Sequence, residues 1–201
     1  MPSIATLIGI LIAYLMGSIS SAIVVCKIMQ LPDPRTQGSR NPGATNVLRI
    51  GGKKAAIITL LGDALKGVIP VLLAKLYGFD TLSLSLITFA AFIGHLYPVF
   101  FRFEGGKGVA TAFGCLLALA WPVGLAMILT WILMAVIFRY SSLSALMAAL
   151  LAPLYTWYFT NWDYTVMMCA ISALLIYRHR SNIANLLNGK ESKLGKKSRP
   201  A

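Results

Sequence analysis

Six apolar runs take up most of this chain, and their lengths leave little room for anything but a helical membrane fold. They cover Ile4–Met29, Ala55–Leu76, Leu82–Phe101, Val109–Phe138, Leu143–Phe159 and Tyr164–Tyr177. A helix needs about 20 apolar residues to cross a hydrocarbon layer, and it satisfies its own backbone while doing so. The first three runs meet that length. The fourth is too long for one simple crossing, and Trp121-Pro122 interrupts it; a proline there removes a backbone donor and favours a kink or break. The sixth is short. The fold class expected is therefore all-α, a polytopic integral membrane helical bundle. The first run is not preceded by a basic region or followed by a cleavage site, so it reads as a span and not as a signal peptide.

Charge placement orients these spans. The net charge is +12, with 12% charged and 58% hydrophobic residues. With no soluble domain to carry nucleic-acid binding, that excess points to positive cytoplasmic loops, anionic lipid and anionic substrates. No Lys or Arg precedes the first run. The stretch from Lys27 to Lys54 carries Lys27, Arg35, Arg40, Arg49, Lys53 and Lys54; the third connection carries Arg102 and Lys107. Arg178, Arg180 and a basic tail follow the last run. The positive-inside rule places the N-terminus outside and these three regions in the cytoplasm, which requires an odd number of crossings. Five result if the sixth run does not cross, and seven if the fourth splits at Trp121-Pro122; seven short, partly broken helices fit the length. The expected division is a membrane domain over residues 1–188 and a basic cytoplasmic tail over 189–201.

Three polar stretches then share one membrane face. In Gly38-Ser39-Arg40-Asn41-Pro42-Gly43-Ala44-Thr45-Asn46-Val47-Leu48-Arg49, small and turn-forming residues offer tight turns, free N–H groups and side-chain donors. Ser39, Asn41, Gly43, Thr45 and Asn46 are the candidate contacts, and Arg49 is a candidate phosphate fork. A bland cytoplasmic loop would have a similar composition. The second stretch, Gly94 to Thr111, contains Gly105-Gly106-Lys107-Gly108. Three glycines around one lysine let backbone approach an anion while the ammonium neutralises it. The spacing is not that of a Walker A loop, because Gly108 stands where Ser or Thr would be needed. His95 is either a base or phosphate donor or, as a lone histidine at a helix end more often is, a hydrogen-bonded structural residue. In the third stretch, Arg178-His179-Arg180-Ser181-Asn182-Ile183, a helix would put His179 and Asn182 on one face. Snorkelling arginines of a stop-transfer cluster explain Arg178 and Arg180, but not His179 and Asn182.

Inside the spans, Gly17-Ser18-Ile19-Ser20-Ser21-Ala22 reads as a close helix-packing surface. Asp63 and Lys66 are costly in lipid at an i,i+3 spacing and should face inward as a pair. Cys26, Cys115 and Cys169 show neither CxxC nor Cys/His spacing and read as small core residues. No metal-ligand spacing, Ser-His-Asp set or paired carboxylates are legible, and no cofactor is expected.

The three stretches, in this order among these spans, closely resemble the bacterial acyl-phosphate:glycerol-3-phosphate acyltransferases, the PlsY family of the inner membrane. The match runs through nearly the whole chain, and departs at Arg40, where the family usually has glycine. The resemblance implies a seven-helix fold with a cytoplasmic site. It implies transfer of a fatty acyl group from acyl phosphate, not acyl-CoA or acyl carrier protein, to the 1-hydroxyl of glycerol 3-phosphate. Ser39, Arg49 and Lys107 would bind phosphate while His179 and Asn182 position substrate. Asn41, Gly43, Thr45, Asn46, His95, Gly105, Gly106 and Gly108 would line the substrate site. Membrane lipid is an expected partner, and contact with the soluble enzyme that makes acyl phosphate stays open.

The residues fit that chemistry independently. Two phosphate-bearing substrates call for clustered cations and backbone donors, and an acyl phosphate is already activated, so orientation and charge stabilisation suffice. With no acidic or cysteine nucleophile beside the motifs, transfer should be direct; His95, His179 or a substrate phosphate oxygen could take the hydroxyl proton. A carrier or channel for a phosphorylated small metabolite would use similar cations, but would more often show paired repeats broken at the midplane.

Overall fold

The computed structural model describes residues 3–194, and their regular structure is helical. The helices are α1 (Ile4–Gly17), α2 (Ser21–Ile28), α3 (Ala44–Tyr77), α4 (Thr81–Leu96), α5 (Val109–Leu119), α6 (Trp121–Phe138), α7 (Ser141–Phe159), α8 (Trp162–Arg178) and α9 (Arg180–Leu187). Four stretches, α3, α4 extended to Phe101, α6 and α7, are long and apolar enough to cross a membrane, and the bent pair α1–α2 counts as a fifth where it is taken as one span. Shorter α5 and α8 lie among them.

Three expectations are refined by this architecture. The first apolar run is a broken span: Ser18 donates its hydroxyl to the Tyr14 carbonyl at 2.8 Å, and the chain bends by 41° before α2. The stretch from Gly38 to Arg49, expected as loop, is helical from Ala44 onward. Gly52, at φ 76°, then separates this short helical segment from the long one that follows. The fourth run splits at Ala120, with Pro122 in the first turn of α6, where its missing N–H would have had no helical partner. That split is the one a seven-crossing chain requires.

Contacts between helix ends fix the directions. Thr6 and Ser83 hydroxyls meet at 2.9 Å at one end, and the Tyr14 hydroxyl donates to the Tyr97 carbonyl at 2.8 Å at the other, so α1 and α4 run parallel. Thr111 reaches the Asp63 carbonyl and Lys75 reaches the Ala118 and Leu119 carbonyls, so α5 runs parallel to α3. At 11 residues, α5 covers about 16 Å. It starts beside Asp63, part-way along α3.

Small residues set these distances. A Cβ on Gly17 would lie 2.1 Å from the Ala91 carbonyl oxygen, and one on Gly114 equally close to that of Ala64. Backbones this near gain dispersion contact that lipid tails cannot match, which is how helices associate without a hydrophobic drive. Outward faces stay apolar: Leu125, Leu129, Leu133 and Val136 of α6 are exposed to what would be lipid. Cys26 and Cys115 are buried as expected, whereas Cys169 is exposed on α8 and is not a core residue.

Asp63 and Lys66 are buried and paired at 2.8 Å, as their spacing suggested. Of the expected tail, Lys196, Lys197 and Arg199 lie outside the described residues.

One end of the bundle gathers the three motif stretches. Arg178 of the third donates to Gly105 of the second, Gly106 packs against the Pro42 carbonyl of the first, and Arg35–Glu104 and Arg49–Ser192 contacts flank them. In a cysteine-free background, single cysteines at Thr36, Arg102 and Lys190 should resist impermeant thiol reagents in intact cells. They should react in inverted vesicles, and a cysteine at Tyr77 should do the reverse. External labelling of any of the first three would break the one-face arrangement.

Candidate active site

The first motif stretch is organised from within by Asn46. Buried at the start of α3, it donates both amide hydrogens, to Pro34 and Gln37 carbonyls at 2.8 and 3.0 Å. Its Oδ1 accepts from the Ser39 N–H at 2.9 Å. The geometry gives Asn46 a scaffold role: its donors are spent on the loop and not turned toward a ligand. Gly38 fits only because it lacks a Cβ, which would lie 2.3 Å from Asn46 Oδ1. Arg40 adopts φ 56° although it is not glycine, a conformation that costs a side-chain-bearing residue about 1 kcal/mol or more. Ser39 is exposed, and Asn41 and Gly43 are half-buried beside it. Thr45 pairs with Ser141 of α7 at 3.1 Å.

The glycine loop is held from both sides. Arg178, at the end of α8, donates to the Gly105 carbonyl at 2.7 Å and to the Gly106 carbonyl at 3.0 and 3.2 Å. Its guanidinium also lies 5.5 Å from the centre of the Tyr97 ring. The Gly106 N–H donates to the His95 carbonyl at 3.2 Å. A Cβ on Gly105 would come within 2.1 Å of that same oxygen, and one on Gly106 within 2.3 Å of His95 Nε2. These two glycines therefore serve close packing against the end of α4, a structural purpose the sequence reading did not assign them. Gly108, at φ 87°, turns the chain into α5.

Lys107 is the residue this scaffold presents. Its ammonium donates to Asn182 Oδ1. Asn182 Nδ2 donates to Glu191 Oε1 at 2.7 Å, and the same oxygen accepts from the Ser142 hydroxyl at 2.6 Å. Burial pushes the Lys107 ammonium down to about 8, with Glu191 pulling the other way and the positive charges of Arg178 and Arg49 adding to the depression. His179, between α8 and α9, has Nδ1 2.8 Å from the Leu175 carbonyl. A carbonyl only accepts, so the ring hydrogen sits on Nδ1 and Nε2 keeps its lone pair. Burial pushes His179 down to about 4, which leaves it neutral at physiological pH. Arg49 donates to the Ser192 hydroxyl at 2.7 Å.

Ser142, Glu191 and Ser192 are contributors that sequence reasoning missed. Gly189, at φ 65°, ends α9 and turns the chain back so that Glu191 meets Ser142 and Asn182. The expected boundary at residue 188 thus cuts through a cluster of interacting side chains. The signal available was Glu191 itself, a lone acid in an otherwise basic segment. His95 lies behind the loop, with Nδ1 3.1 Å from the Thr111 hydroxyl and its ring buried. The arrangement can neutralise phosphate through Lys107 and Arg49, and accept hydroxyl hydrogens through His179 Nε2 and Glu191. Among the described residues, no group of three or more His, Cys, Asp and Glu side chains is gathered as for a metal ion.

A sequence profile of glycerol-3-phosphate acyltransferases matches residues 7–189. The chain belongs to this family. A glycerol-3-phosphate acyltransferase of Methylococcus capsulatus is 60% identical over 186 residues, covering 92% of this chain and 94% of the relative. The one from Shewanella loihica is 54% identical, covering 98% and 97%. A crystal structure of PlsY (YgiH), described as an integral membrane glycerol 3-phosphate acyltransferase in its glycerol 3-phosphate form, superposes with a TM-score of 0.90. It shares 42% identity over 95% of this chain and 96% of the other. Its lysophosphatidic acid form gives 0.87. This member of the glycerol-3-phosphate acyltransferase family is thus an acyltransferase of phospholipid synthesis and a multi-pass bacterial membrane protein.

For the ammonium to act on phosphate it must be charged, and its charge is lost as pH rises through about 8. In this acyltransferase kcat/KM should therefore fall above about pH 8. In kcat the same limb should move higher, because a bound phosphate favours the charged lysine. Whatever activity Lys107→Arg retains should lack this limb, since arginine stays protonated throughout. Initial rates across pH 6–10 for both proteins provide the check.

Proposed function

We propose that this enzyme transfers a fatty acyl group from acyl phosphate to the 1-hydroxyl of glycerol 3-phosphate, giving lysophosphatidate and inorganic phosphate in the first acylation of phospholipid synthesis. The observation that carries the reading is the chain Lys107–Asn182–Glu191–Ser142, with Arg49 and His179 around it. It joins cations that suit two phosphates to acceptors that suit a polyol. The relatives' description as glycerol-3-phosphate acyltransferases supports the acceptor. The abundance of phosphate-directed groups supports a donor that also bears phosphate.

In the reaction the 1-hydroxyl oxygen bonds to the acyl carbon, the bond from that carbon to the phosphate oxygen breaks, and phosphate leaves. The hydroxyl proton has three acceptors at hand: His179 Nε2, the Glu191 carboxylate and the departing phosphate itself. Lys107 and Arg49 stabilise charge on the phosphates, near the N-terminus of α5, whose dipole adds to them. Ser39 joins Lys107 and Arg49 on phosphate and His179 and Asn182 position the substrate, while Asn41, Gly43, Thr45, Gly105, Gly106 and Asn46 hold the loops that shape the site. Glu191 is an acid beside the motifs that the sequence reading did not foresee. With Oε1 tied to Ser142 and Asn182 it is read here as a proton acceptor, and transfer as direct, so acyl phosphate alone should leave no stable acylated protein. Seven inner-membrane crossings, with the N-terminus outside and the site and C-terminal segment cytoplasmic, fit the charge distribution. Residues 189–194 then belong to the catalytic unit, and the basic tail follows them.

The test is purified protein with radiolabelled glycerol 3-phosphate and either palmitoyl phosphate or palmitoyl-CoA. Lysophosphatidate should form from the phosphate donor alone; equal product from the CoA ester would overturn the donor assignment. Lys107→Met keeps much of the stem and removes the charge, and should lower turnover by roughly 10²–10³, as losing one preorganised electrostatic contact does. Lys53→Met, on the cytoplasmic surface, should change it less than about threefold. Near wild-type turnover of Lys107→Met would remove Lys107 from the site.

A further inference from the structure

Both ends of the glycine loop are tied to one buried carboxylate residue that makes no contact with the Lys107–Asn182–Glu191 chain. Asp63 is 2% exposed, inside the apolar length of α3. At the far end of the loop, Thr111 in the first turn of α5 donates its hydroxyl to the Asp63 backbone carbonyl at 2.9 Å. At the near end, His95 Nδ1 lies 3.1 Å from the same Thr111 oxygen and 3.7 Å from Asp63 Oδ1. Thr111 has one hydrogen, spent on Asp63, so His95 Nδ1 is the donor in the Thr111 contact. The His95 carbonyl then takes the Gly106 N–H, and its ring packs against Gly106, the residue before Lys107.

Lys66 completes the arrangement. Its ammonium pairs with Asp63 Oδ1 at 2.8 Å and donates to the Ile19 carbonyl at 2.8 Å, in the break between α1 and α2. A buried ion pair is a poor device for stability alone, since well-packed apolar residues of the same volume often do as well or better. What the pair does offer is position: the ammonium holds a broken backbone in place, and the carboxylate charge, 3.7 Å from His95 Nδ1, favours the ring orientation that turns the Nδ1 hydrogen toward this side.

We propose that Asp63, held by Lys66, is a positioning residue for Lys107, fixing the glycine loop at His95 and Thr111 so that the ammonium stands where the phosphate charge develops. The proposal rests on the phosphate-site reading of Lys107 and goes beyond it. Displacing a catalytic group by about 1 Å costs on the order of 10²-fold in rate.

A double-mutant cycle tests it, because residues that act through one another give non-additive losses. The variants are Asp63→Asn/Lys66→Met, which removes both charges together, and the milder Thr111→Val, which keeps the shape and deletes the hydroxyl. Each is made with Lys107 intact and in the Lys107→Met background. Thermal unfolding and detergent monodispersity are measured alongside kcat and KM by radiolabelled product. With Lys107 intact, the charge-removing pair should lower kcat by about 10²-fold, and Thr111→Val by less, with unfolding temperatures little changed. In the Lys107→Met background either change should cost less than a further twofold. Equal fold-losses in both backgrounds would make the network merely structural and overturn the proposal, as would wild-type kcat in both variants. Should the pair fail to fold, the Thr111→Val cycle decides alone. Near wild-type rates for Lys107→Met itself would instead sink the phosphate-site reading, a separate result.

Discussion

Breaking a helix inside lipid leaves backbone groups without water, and this structure depends on how each break is closed. An unsatisfied carbonyl or amide in hydrocarbon costs several kcal/mol. Polar residues can therefore be brought together only where a side chain replaces the lost helical partner. At the first break the Lys66 ammonium performs this service for Ile19, while Tyr14 keeps its helical Ser18 N–H and gains the Ser18 hydroxyl as well. At the second, Arg178 takes the Gly105 and Gly106 carbonyls while Tyr14 takes that of Tyr97. Hydrogen bonds from a charged donor are worth about 1.5–3 kcal/mol each, so a single guanidinium offsets much of the cost of an irregular loop. Its Nε and Nη2 are thereby committed to the loop, and in the proposed reaction the phosphates fall to Lys107 and Arg49.

The lysine at the centre of the site is held by its own hydrogen-bonded partners. Lys107 rests on Asn182, Asn182 on Glu191, and Glu191 on Ser142, so the partly buried ammonium is never left alone. In the proposed reaction a phosphate would meet donors that these contacts have already oriented, the condition under which electrostatic catalysis is most effective. Neutral His179, with its hydrogen committed to the Leu175 carbonyl, supplies a lone pair beside these cations without adding to their charge.

Much of this was legible in the sequence because membrane constraints are local. Apolar length announced the helices, Trp121-Pro122 the division of the fourth run, and the i,i+3 spacing of Asp63 and Lys66 their pairing. The Gly38–Arg49 and Gly94–Thr111 motifs marked the end of the bundle where polar groups meet. What escaped were contacts set by chain reversal or by partner choice. Glu191 reaches Ser142 only because Gly189 folds the chain back, and nothing in residue spacing encodes that meeting. Glycines beside a lysine suggested a ligand cradle, whereas Gly105 and Gly106 are spent on His95 and Arg178. Asn46 likewise has the composition of a ligand contact and the geometry of a staple. Residue type reported the chemistry available, but only the fold decided which groups were already engaged.

The shortness of α5 has a consequence for the donor's hydrocarbon tail. Because that helix begins beside Asp63, part-way along α3, the glycine loop lies level with the ends of α4 and α8 but deeper than the start of α3. Lifting an acyl chain out of a bilayer costs about 0.8 kcal/mol per methylene, or roughly 10 kcal/mol for a dozen. In the proposed reaction a loop at this depth would let a water-soluble acceptor descend to the acyl carbonyl instead, so that the fatty tail would stay dissolved in the membrane before, during and after transfer.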